Sequence, residues 1–211
     1  VYSQETKDSW KEFLTDLKKR GLHGVLLITS DAHEGIRDGI SKVFPEVPWQ
    51  RCQFHFSKNI TDKAPKKYQA GIRAELHEMF NCDTIKAARR KRDEIIENYK
   101  DVAETAMACL DEGFEDSMTV MVLPKHLRKY FRTSTHIERL NKELKRRSRV
   151  IGIFPNLTSL LRLMGSVLME RHEVIQNMKA VFSSETYNKL LQSDLRTKLI
   201  SLAEAQIQQA A

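Results

Sequence analysis

The sequence predicts an α/β fold that gives way to a long helical block, and three observations predict it. A short, apolar, β-branched run, "GVLLITSD" (24–31), is followed by an amphipathic pattern and then by an aromatic run, "WQRCQFHF" (49–56). Strand, helix, strand within about thirty residues reads as a βαβ unit. From Ser57 onward the pattern turns helical, with no repeat and no low-complexity linker to separate independent domains.

The elements follow in order. "DSWKEFLTDLKKRGL" (8–22) spaces Trp10, Phe13, Leu14 and Leu17 along one helix face, with Lys18, Lys19 and Arg20 in its last turn and Gly21 as the stop. "GVLLITSD" reads as a fully buried strand. "HEGIRDGISKVF" (33–44) is amphipathic through Ile36, Ile40 and Val43, and Pro45 and Pro48 mark the turn before the second strand. "KKYQAGIRAELHEMF" (66–80), "DTIKAARRKRDEIIENYK" (83–100) and "DVAETAMACLDEGF" (101–114) read as three helices. After a short apolar run and Pro124, a strong helix is expected from about Thr135 to Arg149. A Gly/Pro linker, an Asn156 cap and an apolar helix come next, and the tail from Ser183 is helical with a fraying end.

Composition narrows the function classes. The chain has 211 residues, 41% hydrophobic and 30% charged, which suffices for a sizeable core. No run approaches the roughly 20 apolar residues that cross a bilayer, and no signal-peptide pattern is present. A start at Val1 amid polar sequence reads as a fragment or a processed product. Three widely spaced cysteines, Cys52, Cys82 and Cys109, make no disulfide framework and point to a reducing compartment. A formal charge of +7 suits a polyanionic partner. The absence of G-x-S-x-G, a Gly-rich phosphate loop and C-x-x-C removes the commonest hydrolase, nucleotide-binding and thiol-redox readings.

Two stretches carry chemistry. Asp31 stands where "VLLIT" ends, the strand edge at which α/β sheets collect ligands. Asp31 with Glu34 also matches a capping box, so a cap is the alternative. In "HIERLNKELKRRSR" (136–149), Ile137, Leu140 and Leu144 form a packing stripe, while Glu138 heads a column with Lys142, Lys145 and Arg149. Arg139, Lys142, Lys145, Arg146, Arg147 and Arg149 together suit a phosphate backbone, and a solvated surface helix is the alternative. Cys52 and His55 form a C-x-x-H pair without a second ligand pair at finger-like spacing, which favours a buried thiol and a hydrogen-bonded imidazole over structural zinc. The cluster at Arg89–Arg92 is a second candidate DNA contact. Trp10, Trp49, Phe54 and Phe56 read as packing residues rather than a stacking platform.

"WKEFLTDLKKRGL", "VLLITSDAHEGI", "WQRCQFH" and "ERLNKELKRRSRVIGIFP", in this order, resemble a Mutator-type bacterial insertion-sequence transposase over residues 8–172. The resemblance implies an RNase H-like catalytic core interrupted by an all-helical insertion. It divides the chain into a partial core (1–56), the insertion (57–123), a return to the core (124–172) and a helical tail (173–211). It further implies an aspartate–aspartate–glutamate site, with Asp31 as its second aspartate and Glu138 as its glutamate, both ligating Mg²⁺ or Mn²⁺, two ions in the complete site. Cys52 and His55 would support that site. Two departures stand out: Thr135 replaces an asparagine common three residues before the glutamate, and the tryptophan common after the 160–173 helix has no counterpart.

The implied activity is metal-dependent cleavage of transposon ends and strand transfer into target DNA. Implied partners are transposon-end DNA, target DNA and a second copy of the chain, with no membrane and no small-molecule cofactor, in the bacterial cytoplasm at the nucleoid. The first aspartate is expected on a strand upstream of this chain. The isolated chain is therefore expected to be inactive, and its truncated sheet to expose an edge. A non-catalytic helical DNA-binding or assembly module and a structure-specific nuclease of the same fold are the alternatives.

Overall fold

The first helix begins where the sequence supplies a cap. The Thr6 hydroxyl accepts from the Ser9 N–H, the Ser9 hydroxyl accepts from the Thr6 N–H, and α1 runs Lys7–Lys19. Gly21 then takes φ +97°, a left-handed conformation that side chains disfavour, and the chain turns toward the first strand. The computed structural model describes residues 6–178, 183–192 and 194–210. They fall into two compact units, one of residues 1–134 with 192–211 and one of residues 135–191.

In the first unit the strands are shorter than their apolar runs. β1 is Ile28–Ser30 and β2 is Trp49–Arg51, parallel, with Ile28 opposite Trp49 and Ser30 opposite Arg51. The crossover between them is α2 (Glu34–Val43), packed on α1 around Leu14, Ile40, Val43, Phe44 and Trp49. β1 is also less enclosed than a fully buried strand, since Ile28 and Thr29 remain partly exposed.

The expected strand over 49–56 stops at Arg51, and Gln53–Asp62 form α3. The reason is periodicity. Phe56 and Ile60 are fully buried four residues apart, a helical spacing that the aromatic run concealed. The described residues are thus mostly helical, and the expected α/β character reduces to one pair of three-residue strands.

Helices α4 (Lys66–Phe80), α5 (Ile85–Tyr99) and α6 (Glu104–Met118) enclose the main core with α3. Phe56, Ile60, Ile72, Leu76, Ile95, Leu110 and Phe114 have no exposed surface, and each such side chain contributes roughly 1.5–3 kcal/mol. Gly113 lets α6 approach β2 and α3, since a Cβ there would lie 2.2 Å from Arg51 Nη1 and 2.5 Å from the Phe56 ring. A 3-10 turn (Thr119–Val122) and α7 (Lys125–Phe131) follow. Buried Gln50 ties β2 to this corner, donating to the Ser117 carbonyl at 2.7 Å and accepting from the Val120 N–H at 2.6 Å.

The outer edge of β2 is covered rather than open. Gln206 of α11 (Leu195–Ala210) accepts from the Trp49 N–H and donates to the Trp49 carbonyl, both at 2.8 Å. One side-chain amide satisfies both backbone groups that a neighbouring strand would pair.

The second unit contains α8 (Thr135–Ile151), α9 (Leu157–Gln176), capped by Asn156, and most of α10 (Ser184–Gln192). Of the expected tail over 173–211, residues 179–182, 193 and 211 lie outside the described residues. No described helix is long and apolar enough to cross a membrane.

Candidate active site

Because β1 and β2 run parallel, their carboxyl ends share one edge of the sheet. Asp31 follows β1 and Cys52 follows β2, and the Cys52 N–H donates to the Ser30 carbonyl at 2.7 Å. The segment after α7 is bonded to the same edge. Thr29 Oγ1 donates to the Phe131 carbonyl at 2.6 Å, and the Gln53 N–H donates to the Arg132 carbonyl at 2.9 Å. The Ser134 N–H and hydroxyl both approach Cys52 Sγ at 3.4 Å. The fully buried Cys52 thiol is therefore an acceptor that holds residue 134, the last before α8. His55 stands in the first turn of α3, half-buried, with its ring edge-on to Phe54.

The capping alternative for Asp31 does not hold. α2 begins at Glu34, and its cap is His33, whose Nδ1 accepts from the Gly35 N–H at 3.2 Å. Glu34, the expected partner in a capping box, pairs instead with Lys7, which holds the Glu34 carboxyl below its ordinary value. Asp31 is exposed, and its carboxylate makes no hydrogen bond or ion pair among the described residues. A carboxylate at a strand edge with its oxygens free suits a cation or a proton-transfer role.

Beside this edge lies a cationic cleft that the sequence reading missed. It is lined by Ala32, Arg37, Arg51, Asn59 and Lys63, with Asp62 and Glu112 also on its wall. Arg51 ends β2 with its guanidinium 4.3 Å from the Phe56 ring centroid. Its Nε is buried with no hydrogen-bond partner among the described residues, and burial lowers its pKa against the opposing pull of Cys109, Asp116 and Glu112. Arg37 stacks over Trp49 at 4.4 Å and pairs with Asp116 at 3.4 Å. Burial raises the Asp116 pKa, while Arg37 and the Gln206 hydrogen bond draw it back. Guanidinium groups held over aromatic rings are pre-organised for an oxyanion such as a phosphodiester. "WQRCQFH" placed Arg51 in view, but its setting depends on Gly113, distant in sequence.

In the second unit, Glu138 lies half-buried in the first turn of α8. The six predicted cations divide. Arg146 and Arg147 fork onto Glu143 at 2.7 and 3.0 Å, and Arg147 also reaches Glu170 at 3.4 Å. These bonds hold the Glu143 carboxyl down to about 2. Arg139, Lys142, Lys145 and Arg149 are exposed and make no ion pair among the described residues. Asp31 and Glu138 belong to different units.

The first unit thus has a parallel strand pair with an exposed, unbonded carboxylate at its carboxyl edge, and the second has a helix with four cations unpaired among the described residues. A family model for "Transposase, Mutator family" matches residues 1–178, and the chain belongs to that family. It is 39% identical over 189 residues to the transposase for insertion sequence element IS256 in transposon Tn4001 of Staphylococcus aureus, covering 89% of this chain and 47% of that protein. It is 35% identical over 170 residues to the transposase for ISRM5 of Rhizobium meliloti, covering 81% and 43%. For the transposase for IS1081 of Mycobacterium tuberculosis the figures are 34% over 173 residues, covering 82% and 42%. The chain thus spans about half the length of the curated relatives it matches.

Proposed function

We propose that the chain is catalytic-domain sequence of a DDE-type transposase with an RNase H-like core, cutting transposon ends and joining them to target DNA. The observation that carries this reading is Asp31: an exposed, unbonded carboxylate at the carboxyl edge of a parallel strand pair, in a chain of the transposase family. Its hard oxygen donors fit Mg²⁺ or Mn²⁺. Asp31 and Glu138 are the ligands assigned here, and a third carboxylate completes the set. Two such ions, when bound, activate an attacking oxygen and stabilise the leaving one.

The remaining steps belong to the chain's own residues. Arg51 and Arg37 hold a phosphate beside the Asp31 edge. Arg139, Lys142, Lys145 and Arg149 grip the backbone along α8, and Arg146 and Arg147 join them only on leaving Glu143. Cys52 anchors residue 134, and His55 supports the same corner. The partners are transposon-end and target DNA, bound by a homodimer in the bacterial cytoplasm at the nucleoid. With only two of the three carboxylates assigned, the isolated chain is expected to bind DNA without joining strands.

The test is Asp31→Asn and Glu138→Gln in a full-length transposase carrying this sequence, assayed for cleavage of end DNA with Mg²⁺ or Mn²⁺. Losses in each beyond the ~10–100-fold typical of removing a metal's outer-sphere partner are expected, with DNA affinity retained. Wild-type cleavage by Asp31→Asn would sink the reading. The same variant tests the non-catalytic module, which has already lost its cap at Asp31.

A further inference from the structure

Phe54 stands apart from the other aromatics of "WQRCQFHF". Trp49 and Phe56 are 5% and 0% exposed, as packing residues should be, whereas Phe54 is 55% exposed. The expectation that Phe54 packs in the core is corrected. α3 buries Gln53, Phe56, Ile60 and Thr61, and Phe54, one residue after Gln53, stands at the margin of that face with its ring exposed.

The exposed ring borders a cleft of about 610 Å³ between α3 and α4, large enough for a nucleotide. Cations stand on both walls. Lys58 follows Phe54 by one helical turn, Arg73 stands on α4 with the His77 ring a turn further on, and the Arg132 guanidinium closes the end. Arg132 is fixed by a 2.9 Å bond to Asn81 Oδ1, while Lys58 and Arg73 make no ion pair among the described residues. Asp62 is the acidic residue on the wall.

An apolar protein partner would not favour a rim so cationic, and a bare phosphate would have no use for the ring. One ligand class uses both: a base that has left its stack, lying on Phe54 with its flanking phosphates on the cations. We infer that the Phe54 cleft binds an unpaired nucleobase of a DNA strand. This rests on the proposed DNA-handling function and names a second contact within it, away from the Asp31 edge.

The experiment measures binding of this chain to a short single-stranded oligonucleotide containing 2-aminopurine, whose fluorescence falls on stacking. Phe54 is exposed, so Phe54→Leu should keep the fold, and an unchanged melting temperature checks it. Phe54→Leu is expected to weaken single-strand binding roughly 5- to 150-fold, leave the salt dependence unchanged and abolish the fluorescence change. Phe54→Trp should retain all three. Single-strand affinity within twofold of wild type for Phe54→Leu, or no fluorescence change with the wild-type chain, would overturn the inference. Loss of strand cleavage in Asp31→Asn alongside normal binding by Phe54→Leu would remove this inference alone. Cleavage surviving Asp31→Asn would instead remove the catalytic reading and leave Phe54 to be judged on binding.

Discussion

Two helices of this chain carry similar runs of basic residues and pair them differently. On α5, Arg89 is held bidentate by Glu115 at 2.9 and 3.0 Å, Lys91 meets Glu78 at 3.1 Å, and Arg92 meets Asp93 at 2.6 Å and Asp111 at 3.6 Å. On α8, Glu143 engages Arg146 and Arg147, and Arg139, Lys142, Lys145 and Arg149 make no ion pair among the described residues. Composition alone would rank the two alike. Partnering separates Arg89, Lys91 and Arg92 from the α8 column, while Lys86 and Arg90 of α5 make no ion pair among the described residues: a cation already neutralised by a neighbouring helix releases no counterion from DNA without first breaking its pair.

The strongest way to break this comparison is to remove the unpaired charges of α8. Lys142→Ala, Lys145→Ala and Arg149→Ala combined should lower the slope of log K against log salt for duplex binding by about 0.9 for each phosphate no longer neutralised. Alanine favours helix, so α8 should persist, and circular dichroism checks it. The matching triple on α5, Arg89→Ala, Lys91→Ala and Arg92→Ala, should leave the slope unchanged. Equal losses from both would mean that partnering does not decide DNA contact.

A smaller effect sharpens the same point from the other side. Glu115→Gln releases Arg89 from its fork, at a cost of about 0.2–1 kcal/mol for an exposed pair. If partnering is what silences Arg89, the salt slope should rise by up to about 0.9. An unchanged slope would show that the position of α5, rather than its pairing, keeps it from DNA.

Which features were legible in the sequence follows the range of the interaction. The α1 stop at Gly21, the Asn156 cap and the α8 helix are set by neighbours within a turn, and each was readable. The strand over 49–56 misled because aromatic residues satisfy a strand's preference and a buried helix face equally well, and burial of Phe56 with Ile60 decides for the helix. At the site, the place of Asp31 at the end of β1 was legible, and the alternative that Asp31 caps α2 falls because His33, an unusual capping side chain, takes that role. Arg51, Gly113 and Gln206 were invisible, since their roles depend on contacts between distant segments. The pairing of the α5 cations was hidden likewise, because Glu115, Glu78 and Asp111 lie on other helices.

The smallest effect concerns acid. Glu143 is the residue that divides the α8 cations into paired and free, and its carboxyl is held at about 2 by hydrogen bonds from Arg146 and then Arg147. A carboxylate whose folded pKa is depressed stabilises the fold above its unfolded value, near 4.5, and loses that contribution as pH falls toward 2. Wild type should therefore exceed Glu143→Gln in α8 helicity at neutral pH by a margin that narrows between pH 4.5 and 2 and closes below. Carboxyl carbon shifts across the same range locate the midpoint directly. Titration of Glu143 near its ordinary value would mean that the fork is not formed in solution, and Arg146 and Arg147 would then join the free cations that distinguish α8 from α5.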